Sequence, residues 1–145
     1  PSGNSVMALN LLRVHKITGQ EKYQSSAENL FSAFSGFLEK SPQGAEVLLH
    51  ALDFALAPAK EIIIAGEHGS KETNQLINAI NQNFMPAKVL LFRPTGIKNP
   101  KITKLSPFLI NHKLVNGKPA VYICQDQTCQ KPETELEELI KVLAK

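Results

Sequence analysis

Lys118–Pro132 reads KPAVYICQDQTCQKP and holds both cysteines of the chain, Cys124 and Cys129. Within it, Ala120-Val121-Tyr122-Ile123-Cys124 is short, β-branched and aromatic, with Pro119 before it and the polar segment Gln125–Thr128 after it. Such a run predicts a buried strand that ends in a turn. Two thiols bracket that turn. A strand needs partners, and the flanking sequence supplies them.

Upstream, Glu61-Ile62-Ile63-Ile64-Ala65-Gly66 is a continuous β-branched run, as suits a strand covered on both faces. Gly66-Glu67-His68-Gly69-Ser70 then predicts a turn, with Ser70 capping a helix that carries Leu76, Ile77, Ile80 and Phe84. Ala87–Arg93 predicts the next strand, so strand, helix and strand form a βαβ unit. Pro94–Lys118 is a long connection broken at Pro94, Pro100 and Pro107; its cluster Leu105, Phe108, Leu109 and Ile110 predicts a short helix or an extended packing segment. After the cysteine strand, a final helix is expected over 134–144, opened by a capping box of Thr134 and Glu137 with an acidic first turn. Residues 58–145 are thus expected to form a small α/β unit with a three-stranded, at least partly parallel sheet.

Residues 1–57 have a different period. Val6, Leu9 and Leu12 recur at helical spacing, with Asn4 or Ser2 as N-cap and a stop at Gly19. A second helix is expected over 21–39, with Tyr23, Ala27, Leu30, Phe31, Phe34, Phe37 and Leu38 as a broad apolar face that reads as core. Ser41-Pro42 predicts the start of a third, with Ser41 as N-cap, running through Leu48, Leu52 and Leu56 to Pro58. Three antiparallel helices therefore precede the α/β unit, and the fold class is α/β overall.

Of the 145 residues, 43% are hydrophobic and 20% charged, ordinary for a globular chain with one domain or two small ones. No apolar run approaches the roughly 20 residues that span a bilayer. No signal peptide is visible, and a start at Pro1 suggests a piece of a longer protein. A cytoplasmic location is expected, with no membrane partner. Net charge is +3, yet Lys88–Lys118 carries seven basic residues and no acidic one. That pattern admits an anion or nucleic-acid patch. A solvated lysine-rich loop is the favoured reading, because aromatic residues are not interleaved as single-strand binders require.

Two cysteines at this spacing can be inert structural thiols, a reversible disulfide or part of a metal site. Reduced structural thiols are the first expectation, with Cys124 buried and Cys129 more exposed. Zinc needs four ligands, and the nearest extra candidates, His112 and His68, stand at no familiar spacing, so no metal and no cofactor are expected. Glu67 and His68 stand where phosphate loops sit, but the segment matches neither glycine-rich fingerprint and reads as a connecting turn. Glu46, His50 and Asp53 share a helical stripe that reads as a solvated face. No spacing marks a catalytic carboxylate pair.

Both ends of the chain carry a resemblance. Pro1-Ser2-Gly3-Asn4-Ser5-Val6 followed by Ala8-Leu9-Asn10-Leu11-Leu12-Arg13, and later Val121-Tyr122-Ile123-Cys124 with Cys129-Gln130-Lys131-Pro132, resemble the thioredoxin-domain family related to spermatogenesis-associated protein 20 and its bacterial relatives. The resemblance covers essentially the whole chain. It implies a three-part layout: a thioredoxin-like domain, an (α/α)₆ barrel like that of six-hairpin glycosidases, and a small C-terminal region. This chain would be the last part, with residues 1–57 closing the barrel and Asn4 and Ser5 near its lumen. The function so implied is a non-catalytic structural or interaction region whose partner is the rest of the parent protein. Two alternatives stay open: part of a carbohydrate-binding or carbohydrate-modifying enzyme, and a thiol–disulfide role through Cys124 and Cys129. Barrel helices without their barrel also predict self-association.

Overall fold

A computed structural model describes residues 2–98, 100–126 and 128–143. The chain divides into two compact units that meet between Ala59 and Lys60.

The first unit is helical. Helix α1 (Gly3–Thr18) starts because Ser2 takes an extended conformation and its side chain accepts from the Ser5 backbone N–H at 3.2 Å. The cap is therefore Ser2, not Asn4. The helix ends at Gly19, whose φ of +70° lets its N–H reach the His15 carbonyl. Helix α1 packs against both α2 (Glu21–Lys40) and α3 (Glu46–Leu56), which scarcely touch each other. The close contacts rest on small residues, with Ala8, Ala27 and Ala51 fully buried beside Leu12, Leu48 and Phe54.

Two expectations fail here. Ser41-Pro42 does not open α3: it opens a single 3₁₀ turn over Pro42–Gly44, Ser41 makes no side-chain cap, and α3 begins at Glu46. The aromatic face of α2 is also not core. Ala27 alone is buried along α2, and Phe37 is 47% exposed, because α1 is the one broad helical surface that α2 meets in this unit.

The second unit is a four-stranded mixed sheet in the order β2-β1-β3-β4, where three strands were expected. Strand β1 (Lys60–Gly66) pairs parallel with β2 (Lys88–Pro94), and helix α4 (Lys71–Gln82) connects them. Ser70 caps α4, accepting from the Thr73 N–H at 3.2 Å. Strand β3 (Ala120–Gln125) runs antiparallel to β1 on its other edge. The fourth strand, β4 (Thr128–Cys129), is two residues long and turns back onto β3. Helix α6 (Leu136–Leu143) follows; it starts two residues after the expected Thr134 box, with the Glu135 carbonyl accepting from the Leu139 N–H, and Ala144 lies outside the described residues.

Period-two alternation divides the sheet residues between two faces. On one, Ile62 and Ile64 of β1 and Val121 and Ile123 of β3 pack under Leu76, Ala79 and Ile80 of α4 and Leu139 and Leu143 of α6. The opposite face carries Glu61, Ile63 and Ala65 of β1, Val89 and Leu91 of β2, and Tyr122 and Cys124 of β3. The long connection covers it with helix α5 (Ile102–Leu105) and a 3₁₀ turn over Pro107–Asn111, and Ser106 and Leu109 there are wholly buried. Both faces of β1 are thus closed, which is why, beyond Lys60 at its start, its sequence is unbroken by polar residues apart from the buried Glu61.

Candidate functional site

The register opposes Cys124 of β3 to Cys129 of β4 with Cα atoms 3.9 Å apart, and the two are joined by a disulfide. Neither cysteine is free, so the expectation of reduced structural thiols is replaced by a covalent clip across the terminal hairpin. The turn closes because Asp126 adopts a left-handed φ of +49°, a conformation that Asp tolerates better than most residues. Cys124 is 1% exposed, whereas Cys129 lies at the edge of the sheet.

His112 completes the site. It follows the 3₁₀ turn, and its backbone N–H donates to the Leu109 carbonyl, which fixes the ring over the sheet. The ring stands edge-on to Tyr122, with centroids 4.6 Å apart. Tyr122 is held in turn by its hydroxyl, which donates to the Lys113 carbonyl at 2.8 Å. Nδ1 of His112 is 3.1 Å from the Phe108 carbonyl. A carbonyl can only accept, so Nδ1 carries the hydrogen and Nε2 keeps its lone pair in the neutral ring. Nε2 lies 3.4 Å from Cys129 Sγ and 4.0 Å from Cys124 Sγ. Burial lowers the imidazole pKa from its ordinary value of 6.5; the Phe108 and Leu109 backbone bonds oppose this and the positive charge of Arg93 reinforces it.

Among the described residues, His112, Cys124 and Cys129 are the one group of His, Cys, Asp and Glu side chains whose ligand atoms converge, all within 4.8 Å of one another. The sequence names His112 beside the cysteines as an extra ligand candidate but at no familiar spacing, because the histidine arrives from the covering segment. The signal that was present is weaker: His112 sits just after an apolar cluster that had to pack on something.

The other candidates are placed elsewhere. Asn4 and Ser5 both line a cleft of about 310 Å³ in the helical unit, with Phe34, Phe37, Gln43 and Glu46. Asn4 is exposed; Ser5 is buried, and its hydroxyl is 2.8 Å from that of Ser2. Glu67 and His68 are exposed in the turn after β1, and His68 faces the Phe92 ring at 6.2 Å. Glu67 lines a second cleft, about 750 Å³, at the carboxyl ends of β1 and β2, together with Glu72, Lys118 and Glu135. Glu46, His50 and Asp53 are all exposed on α3 and form no ligand group. The basic stretch is partly committed to the fold: Lys88 Nζ donates to the Ile80 carbonyl at the end of α4, and Lys118 pairs with Glu135 at 2.6 Å.

A helical unit followed by a mixed α/β unit with a disulfide-bonded Cys pair and an adjoining histidine defines the class of segment. Comparison with known proteins places it further. Over 143 residues, 99% of the chain, it is 34% identical to Spermatogenesis-associated protein 20 of Rattus norvegicus. It is 32% identical over the same length to the proteins of that name from Homo sapiens and Mus musculus. The chain is thus related to that family, and it spans 18% of the length of these relatives. No family model and no solved structure matches. No helix among the described residues is long and apolar enough to cross a membrane.

Proposed function

We propose that the α/β unit is a thiol–disulfide element of a longer protein, in which Cys124 and Cys129 cycle between disulfide and dithiol. The observation that supports this reading is the imidazole nitrogen 3.4 Å from the sulfur at the sheet edge. The chemistry balances as an exchange. A thiolate of a partner dithiol attacks Cys129 Sγ, the accessible sulfur, and Cys124 leaves as thiolate and takes up a proton. The partner's second thiol then breaks the mixed disulfide, releasing Cys129 and leaving the partner oxidised. In the reverse direction, neutral His112 accepts the Cys129 thiol proton and prepares the thiolate. In a reducing compartment a disulfide of this kind is cyclic rather than permanent. Thioredoxin-like domains carry such dithiols, so the three-part layout implied by the resemblance would put a partner in the same chain.

The helical unit fits a structural and interaction role beside this. Its partly buried Phe34 and about half-exposed Phe37 suit burial against the remainder of a longer protein, as the closing helices of an (α/α)₆ barrel would be. Equilibration of the protein in dithiol–disulfide buffers, with alkylation and intact mass as readout, tests the redox reading. A reversible two-electron transition supports it; a pair locked in either state across the physiological range of potentials overturns it.

A second reading is favoured by one observation: Asn4 and Ser5 share their cleft with Phe34 and Phe37. Hydrogen-bonding side chains beside aromatic rings suit a carbohydrate, and the cleft would then be part of a larger sugar site in the parent protein. A glycan-binding screen of the longer protein with Asn4→Ala tests it, and unchanged binding would remove Asn4 from that site.

A further inference from the structure

We infer that, once the disulfide is reduced, His112, Cys124 and Cys129 form a binding site for a zinc-like divalent cation. The three residues would hold the ion with two thiolates and one imidazole, leaving a fourth position open. The inference goes beyond the exchange reaction, needing from it only that a dithiol reductant can open the bond. Reduction delivers two electrons and two protons to the cystine. Zinc then displaces the two thiol protons and forms two Zn–S bonds and one Zn–N bond.

The geometry carries this. Tetrahedral zinc with bonds of about 2.3 Å to sulfur and about 2.05 Å to nitrogen sets ligand atoms about 3.6 Å apart for a nitrogen–sulfur pair and about 3.8 Å apart for two sulfurs. Nε2 of His112 already lies 3.4 and 4.0 Å from the two sulfurs, on either side of the first figure. Freed of their bond, the sulfurs separate by side-chain rotation alone, because the β3–β4 register keeps both residues opposite each other.

The ligand chemistry agrees. A histidine that binds a metal through Nε2 commonly donates its other N–H to a carbonyl, and Nδ1 of His112 does so to Phe108. That bond fixes the tautomer and aims the lone pair at the sulfurs before any ion arrives. Four residues between cysteines also lies within the spacing that zinc sites use. With three protein ligands the site resembles open rather than closed zinc centres, so a water or a small anionic group would fill the fourth position.

The test uses the full chain, reduced by a phosphine under argon and freed of metal, with Co²⁺ as the optical probe. One equivalent should give thiolate-to-cobalt charge-transfer absorption with tetrahedral d–d bands, which Zn²⁺ then bleaches. His112→Ala should weaken cobalt binding by at least the roughly 10- to 100-fold seen when a ligand's hydrogen-bond partner is lost. Should that variant not fold, the wild-type protein supplies the answer: Zn²⁺ must protect both thiols from alkylation. Reduced protein whose thiols alkylate equally fast with and without Zn²⁺, and which shows no charge-transfer band, overturns the site. An unchanged band in folded His112→Ala overturns it as well. Reversible reoxidation without cobalt binding would remove this inference alone and leave the exchange reading standing; cobalt binding by a pair that never reoxidises would do the reverse.

Discussion

Gly66 and Thr73 touch where β1 gives way to α4: a methyl group at position 66 would overlap the Thr73 hydroxyl and stand 3.3 Å from Pro119 Cβ. The Thr73 side chain is 1% exposed and is held by Ser70, whose hydroxyl donates to it at 2.8 Å. It cannot swing away without breaking its hydroxyl bond to Ser70. Gly66→Ala should therefore destabilise the α/β unit by about 1–3 kcal/mol, the usual cost of overpacking. Urea unfolding measures it. In Gly66→Ala with Thr73→Ala the loss should be smaller than the sum of the two single losses, and simple additivity would show that the contact is not the cause.

The disulfide closes a very short loop, so its effect on the unfolded chain is modest. The oxidised protein should be more stable than the reduced one by about 2 kcal/mol. The variant Cys124→Ala with Cys129→Ala should lose that difference between oxidising and reducing buffers. A reducing-buffer effect that persists in this variant would mean that the cystine is not its source.

For the oxidised, metal-free protein, His112 sets a pH dependence. Its folded pKa is lowered from 6.5, so the unfolded chain binds the proton more readily. Stability is fully present above 6.5 and declines as the pH falls through that value towards the folded pKa. His112→Gln should flatten this acid limb in urea midpoints taken across the same range. A limb of unchanged steepness would assign the effect to another group.

Leu139 is wholly buried on α6, against the sheet face formed by Ile62, Ile64, Val121 and Ile123. Leu139→Ala should cost about 2–5 kcal/mol, while Ile140→Ala, at a side chain 46% exposed, should cost well under half as much. Comparable losses at the two positions would show that α6 is not docked by this face.

Where a local rule decides an element, the residues declare it. Gly19 ends α1, Ser70 opens α4, and the isoleucine run of β1 announces a strand closed on both sides. What was missed depends on tertiary context. Strand β4 has two residues, too few for any periodicity, and exists because the cysteine turn folds back onto β3. The phenylalanines of α2 have the spacing of a core face, yet spacing does not say how many neighbours will come to cover it. The site was half legible: the cysteines stand out, whereas His112 joins them from a covering segment whose path no local pattern fixes.

The strand order has a consequence for the chain as it is being made. Strand β1 lies between β2, which follows it after one helix, and β3, which follows only after the long connection. Synthesis from the N-terminus therefore delivers β1, α4 and β2 together and leaves the β3 side of β1 without its partner until the cysteine strand emerges. For that interval an isoleucine-rich edge is open on the ribosome, the kind of edge that pairs with other chains or is shielded by chaperones. The strand best protected in the finished protein is the most vulnerable one during its birth.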